Sequence, residues 1–150
     1  MKLIVLDRDG VINHDSDAYI KSKEEWLPID GSLDAIARLN HSGYTVVVAS
    51  NQSGLARGYF DIEALSSMHR KMDEMLAKVG GQVDAVFYCP HGPDDGCACR
   101  KPKPGMLLEI GQRFNVSLKD VIFIGDSISD VKAASNANAK AVLVRTGKGV

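Results

Sequence analysis

A three-layer α/β fold on a five-stranded, Rossmann-like parallel sheet is predicted by two observations. Short apolar runs rich in β-branched residues alternate along the chain with segments whose apolar residues recur at helical spacing. The first run, residues 3–6, is apolar without interruption, as a strand buried on both faces must be. At 150 residues the chain has the length of one domain with a substantial core, so 1–150 is read as a single unit.

The first strand leads into Asp7-Arg8-Asp9-Gly10. Residues i and i+2 of a strand point the same way, so Asp7 and Asp9 share a face if the strand reaches them; Gly10 lets the backbone leave at an angle. Open α/β sheets bind ligands at the C-terminal ends of their strands, and like charges this close call for a cation or a shared proton. The same residues also fit a strand capped by two solvated aspartates. The long connection 11–28 follows, with Tyr19 and Trp26 among polar residues. It is placed to cover whatever the carboxylates bind, or to shield the sheet edge as a surface flap.

A helix over 32–42 carries Leu33, Ile36, Ala37 and Leu39 on its period, and Gly43 stops it. A second strand, 44–49, runs into Ser50-Asn51-Gln52-Ser53-Gly54, a turn able to present donors to an anion, or simply a polar turn. Asp61 is the expected N-cap of a helix with Ile62, Leu65, Met68, Met72, Met75 and Val79 on its inner side. The methionines read as core packing and His69 as a surface residue. Gly80-Gly81 ends that helix, and a third strand, 84–88, follows. Pro104, in first-turn position, opens a helix through Met106, Leu107 and Ile110. A fourth strand, 121–124, ends at Gly125-Asp126-Ser127-Ile128-Ser129-Asp130; an alanine-rich helix to about 137 and a fifth strand, 141–144, complete the pattern. The tail 145–150 lacks the glycine spacing of a nucleotide P-loop.

Composition narrows the function. A formal net charge of −1 leaves no basic footprint for nucleic acid. The apolar runs are strand-length, so no membrane partner is expected, and Met1-Lys2 plus four apolar residues is too short for a secretory signal. A cytoplasmic monomer is the expectation. All three cysteines, Cys89, Cys97 and Cys99, fall within eleven residues, which suggests metal rather than disulfides. With His91 they offer four ligands and no open position, the donor set of a tetrahedral structural Zn²⁺. Pro90, Gly92, Pro93 and Gly96 permit the tight reversals this polar loop needs, and metal supplies the order a core cannot. Three unrelated free cysteines are the alternative. Arg100 and Lys101 follow directly, so zinc would fix them beside the carboxylates, where a basic pair suggests a phosphate. Lys103 is expected to be solvated.

Asp7-x-Asp9-Gly10-Val11, Ser50 after the second strand, Lys101, and Gly125-Asp126-(x)3-Asp130 resemble, in order, the four motifs of haloacid dehalogenase-like phosphatases. Within that family, residues 50–58, 99–106 and Arg145-Thr146-Gly147-Lys148 are similar to the heptose bisphosphate phosphatases; the related histidinol-phosphate phosphatases share the zinc loop. The resemblance implies a Mg²⁺-dependent phosphatase acting on a phosphosugar, in lipopolysaccharide or heptose-nucleotide precursor synthesis. It implies Asp7 as nucleophile, Asp9 as acid and base, and Mg²⁺ on Asp7, the Asp9 carbonyl and Asp126. Asn51, Gln52 and Ser53 would join Ser50 and Lys101 in binding substrate, Arg57 and Arg100 would grip the sugar or its second phosphate, and Asp130 would orient Lys101 or the metal's waters rather than bind the metal directly. No insertion is large enough for a separate cap domain. Ser50 replaces a frequent threonine, and the chain ends sooner after its last strand than such proteins usually do. Histidinol phosphate as substrate, or a non-catalytic phospho-acceptor module, are the other readings.

Overall fold

A computed structural model describes residues 2–92 and 94–149. Five parallel strands form one sheet: β1 (Lys2–Leu6), β2 (Tyr44–Asn51), β3 (Ala85–Cys89), β4 (Ile122–Gly125) and β5 (Lys140–Leu143), in spatial order β3-β2-β1-β4-β5. The helices α1 (Ser32–His41), α2 (Ile62–Lys78), α3 (Gly105–Phe114) and α4 (Ile128–Asn136) connect them. The strand that opens the chain is therefore central, and the strand order reverses beside it, between β1 and β4. The C-terminal end of that junction is where a doubly wound sheet leaves a crevice.

Alternation along the strands sorts the core into two layers. Leu3, Val5, Val47, Ala49 and Phe123 pack with Met106, Leu107 and Ile110 of α3 and Ala133 and Ala134 of α4. Ile4, Leu6, Val46 and Val48 face the other way, onto Ile36 of α1 and Leu65, Met68, Met72 and Leu76 of α2. Each such side chain, fully buried, is worth about 1.5–3 kcal/mol, so the apolar strands and helix faces carry the fold. β5 is the exception: it is an edge strand, exposed along its length, with Val142 and Leu143 left 45% and 51% open.

The element order agrees with the periodicity, and the differences are local. β2 continues through Ser50 and Asn51, which pair with Tyr88 and Cys89, so these polar residues end a strand instead of starting a turn. Asp61 caps α2 by accepting from the Ala64 amide at 2.8 Å, a bond worth about 1 kcal/mol. The inner face of α2 is Leu65, Met68, Met72 and Leu76; Ile62, the first residue of the helix, and Val79, its C-cap, are 62% and 40% exposed. Pro104 stands at the N-cap of α3 rather than inside its first turn. The connection 11–28 is more than a flap. Ile12, Ile20 and Trp26 are buried in the second core layer, while Asn13 bridges both Asp9 and Pro28. No described helix is long and apolar enough to cross a membrane. Among the described residues, neither the connection after β1 nor that after β2 forms a separate cap.

Candidate active site

The crevice at the β1–β4 junction is a cavity of about 300 Å³ lined by side chains from the ends of β1, β2 and β4. β1 stops at Leu6, and the Asp7 amide donates to Ile124 of β4 at 2.9 Å, which holds Asp7 at the junction. The amides of Val11, Ile12 and Asn13 then all turn back onto the Arg8 carbonyl. Asp7 and Asp9 therefore leave the extended geometry that would align them, yet both still line the cavity. Gly10, at φ 88°, is required twice over: its conformation is left-handed, and a Cβ there would collide with the Asp126 carboxylate.

Lys101 is buried between two carboxylates, with Nζ 2.9 Å from Asp7 Oδ1 and 2.7 Å from Asp130 Oδ1; it also donates to the Ala49 carbonyl at 3.3 Å. Asp130 is held in turn by the amides of Asp126 and Ser127 at 3.1 and 3.2 Å, closing a capping box at the start of α4. Asp130 is thereby fixed against Lys101. Burial, pulled against by Lys101 and reinforced by Asp130 and Asp9, pushes the Asp7 carboxyl up to about 8. Burial raises Asp126 as well, against the Lys148 amide that donates to it. Oxygens of Asp7, Asp126 and Asp130 lie within 4.8 Å of one another around a single lysine. A pocket of hard oxygen donors short of positive charge fits Mg²⁺.

Asp9 is held from the opposite side. Its Oδ1 accepts from Arg8 Nε at 2.8 Å and Asn13 Nδ2 at 2.9 Å, and its Oδ2 accepts from Gln52 Nε2 at 3.3 Å. Burial penalises the charge, but the Arg8 guanidinium and these bonds win and hold the carboxyl below its usual range. Arg8 is fully buried and reaches Met68 Sδ at 3.7 Å and His69 Nε2 at 3.3 Å. His69 is thus half-buried rather than a surface residue, and burial together with Arg8 pushes its pKa down to about 4. Sequence reading missed Arg8 and Asn13. A cation set between two aspartates was the available signal for the first.

The end of β2 and the turn after it divide their labour. Ser50 is buried, lines the cavity and accepts from Gln52 Nε2 at 2.8 Å, so Gln52 ties Ser50 to Asp9. Asn51 clamps the backbone of Lys101, donating to its carbonyl at 3.3 Å and accepting its amide at 3.0 Å. Ser53 and Arg100 line the cavity; Gln52 and Arg57 are not among the lining residues. Arg57 is exposed, behind the Tyr19 ring. The tail also contributes, through contacts that composition does not reveal: Thr146 Oγ1 donates to the Gly10 carbonyl at 2.6 Å, and the Lys148 amide to Asp126 Oδ2 at 2.9 Å.

The cysteine window forms a second cluster. Donor atoms of Cys89, His91, Cys97 and Cys99 lie within 4.8 Å of one another. His91 Nδ1 is 3.5 Å from the Cys89 sulfur and 3.4 Å from that of Cys99, and the Cys89 and Cys97 sulfurs are 3.5 Å apart. The Cys89 and Cys99 sulfurs are closer still, 2.6 Å. Ligands about 2.0–2.3 Å from one tetrahedral ion span edges of about 3.3–3.8 Å, near the three longer separations, and three thiolates with one imidazole are a donor set that fits Zn²⁺. Pro93 lies outside the described residues. Lys103 is exposed but not merely solvated, because its Nζ donates to the Cys97 carbonyl at 2.7 Å and braces the loop. The Gly105 amide donates to Ala98 at 3.1 Å, joining the loop to α3.

Residues 98–149 match the family model described as HAD-hydrolase-like. Over 148 residues the chain is 58% identical to the D-glycero-beta-D-manno-heptose-1,7-bisphosphate 7-phosphatase of Pseudomonas aeruginosa, covering 99% of this chain and 83% of that protein. Among solved structures it superposes with a TM-score of 0.98 on the D,D-heptose 1,7-bisphosphate phosphatase of B. bronchiseptica, complexed with magnesium and phosphate. That relative is 58% identical, over 99% of this chain and 83% of its own. The D,D-heptose 1,7-bisphosphate phosphatase of Burkholderia thailandensis gives a TM-score of 0.77 at 46% identity, over 99% of this chain and 81% of its own.

Proposed function

The chain belongs to the D-glycero-D-manno-heptose-1,7-bisphosphate 7-phosphatases of the haloacid dehalogenase superfamily, and from that membership we propose that it hydrolyses the 7-phosphate through an aspartyl-phosphate on Asp7. The observation that carries this reading is the meeting of Asp7, Lys101 and Asp126 in one cavity at the switch point of the sheet. The Asp7 carboxylate attacks phosphorus in line with the departing sugar oxygen, and Asp9 delivers a proton to that oxygen. In the second half Asp9 takes a proton from the water that cleaves the aspartyl-phosphate. The grip of Arg8, Asn13 and Gln52 keeps Asp9 ionised, the form this second half needs; protonation and a turn toward the sugar oxygen ready it for the first.

Lys101 and the Ser50 hydroxyl meet the charge that gathers on the equatorial phosphate oxygens. Mg²⁺ fits Asp7, the Asp9 carbonyl and Asp126, and when bound it supplies the positive charge that screens the nucleophile from the phosphate dianion. Zn²⁺ fits the Cys89–His91–Cys97–Cys99 cluster in a structural role. Thiolate ligands suit a reducing compartment, and we place the protein in the cytoplasm as a monomer. Steady-state kinetics with Mg²⁺ on both anomers of heptose 1,7-bisphosphate and on histidinol phosphate test the substrate. A clear preference for the heptose is expected; preference for histidinol phosphate overturns the assignment.

Two variants probe the walls of the site. Arg100 lines the cavity and is our candidate for the distal phosphate, with Nη1 anchored on the His91 carbonyl at 3.4 Å. A hydrogen bond to a charged group is worth about 1.5–3 kcal/mol, so Arg100→Ala is expected to lower kcat/KM on the bisphosphate roughly 10- to 100-fold. A sugar monophosphate should be nearly unaffected, and equal losses on both would move Arg100 to the reacting phosphate. Cys99→Ser should release zinc while leaving the circular dichroism of the core intact. Activity should still fall roughly 100-fold, because a displacement of about 1 Å in Arg100 and Lys101 is enough for that. Zinc loss with unchanged kinetics would refute the positioning role.

A further inference from the structure

The cavity is almost uniformly polar: carboxylates, hydroxyls, an amide and three basic side chains line it, and among the described residues Tyr19 is the one exception. Tyr19 also has an uncommon backbone. It stands at φ 67°, in the left-handed region that a bulky residue rarely adopts, and its amide closes a turn onto the Ser16 carbonyl at 3.2 Å. The neighbouring Ile20 is buried in the core, which fixes the chain on that side. Strain of this kind persists where surrounding structure over-determines it, and it gathers at ligand sites.

The ring itself is braced from outside the cavity. Its centroid lies 5.1 Å from that of Tyr59, tilted by 48°, and the Arg57 guanidinium carbon sits 5.9 Å from the same centroid. Tyr59 is 52% exposed and its amide donates to Gly54 at 2.9 Å, so the segment after Ser53 folds back to reach Tyr19. Arg57 and Tyr59 thus support a ring rather than line the pocket.

A pyranose presents hydroxyls at its edge and a face of C–H groups, and the polar lining offers partners for the edge alone. We propose that Tyr19 is a specificity-determining residue: its ring receives the C–H face of the sugar whose phosphate lies at Asp7, while Arg57 and Tyr59 hold that ring in place. This rests on the phosphosugar reading above and adds to it the wall that selects a ring over a chain. It also changes what is expected of Arg57, which acts through Tyr19 on the sugar body and not on the distal phosphate.

Tyr19→Gly, Tyr19→Ala, Tyr19→Phe and Arg57→Ala separate the ring from the backbone. Glycine relieves the left-handed conformation and alanine does not, yet both remove the ring. Both are expected to raise KM for the heptose bisphosphate about five- to tenfold, the worth of a good aromatic contact, with kcat little changed. Phenylalanine should behave as wild type, and Arg57→Ala should raise KM for sugar mono- and bisphosphates alike. On glycerol 3-phosphate, which has no ring to stack, every variant should match wild type. Unchanged KM for the sugar in Tyr19→Gly, an equal loss on glycerol 3-phosphate, or an effect in alanine that glycine abolishes would each overturn the proposal. A wild-type enzyme preferring histidinol phosphate or glycerol 3-phosphate would instead overturn the functional reading, and this inference with it.

Discussion

Asp7→Asn is expected to reduce phosphate release to background, a fall on the order of 10⁴–10⁶-fold, as loss of a nucleophile produces elsewhere. The size of the side chain is conserved and Lys101 keeps Asp130 at 2.7 Å, so the fold should survive. Its stability should differ from wild type in a way that depends on pH. Burial raises the Asp7 carboxyl from 3.8 to about 8 in the metal-free fold. Between those values the folded state binds a proton that the unfolded chain has released, so wild-type stability declines as pH rises through that window. The asparagine variant has no such group and should lose less. Melting temperatures of both metal-free proteins from pH 4 to 8, beside turnover with Mg²⁺, check the two claims together. Residual activity above a trace in Asp7→Asn would reject the covalent route, and parallel melting curves would reject the buried carboxylate.

Lys101→Met should cost both stability and rate. Removing Lys101 leaves the buried Asp130 carboxylate, which that lysine holds ionised, without its counter-charge, and breaking such a pair is worth about 3–5 kcal/mol. Turnover should fall about 10²–10³-fold, since a preorganised donor to the transferring phosphoryl group is lost. Adding Asp130→Asn to the methionine variant should recover stability, because one stranded carboxylate is neutralised, and should recover no activity. Denaturant unfolding and kinetics on the single and double variants separate these effects. An unchanged unfolding midpoint in Lys101→Met would mean that the lysine is not the counter-charge of Asp130.

Strands and helices were legible because each buries an apolar run or face; Val46, Val47 and Val48 admit little besides a strand buried on both sides. The resemblance to the family's motifs picked out Asp7, Lys101 and Asp126, and the spacing of the cysteines picked out their loop; the structure gathers each set into one cluster. What escaped is of a different kind. Nothing in its immediate neighbours says that the amide of Lys148 reaches Asp126, because a backbone donor carries no side-chain signature. His69 read as exposed because its sequence neighbours are polar; its actual neighbour, Arg8, lies 61 positions away. That Arg57 rests against the Tyr19 ring, 38 positions away in the chain, is likewise invisible in its sequence neighbours.

The central place of β1 has a consequence for how the protein is made. β1 leads directly into Asp7, yet only one of its two edges is closed by β2; the other is closed by β4, which begins at Ile122. β1, β2 and β3 can pair as soon as they are synthesised, but the emerging chain then holds an open central edge and a nucleophile with neither Lys101 nor Asp126 beside it. At about 5–20 residues per second that interval lasts several seconds, during which an unpaired edge is exposed to other chains. Catalytic competence therefore arrives at once, when β4 seals that edge and carries Asp126 to Asp7.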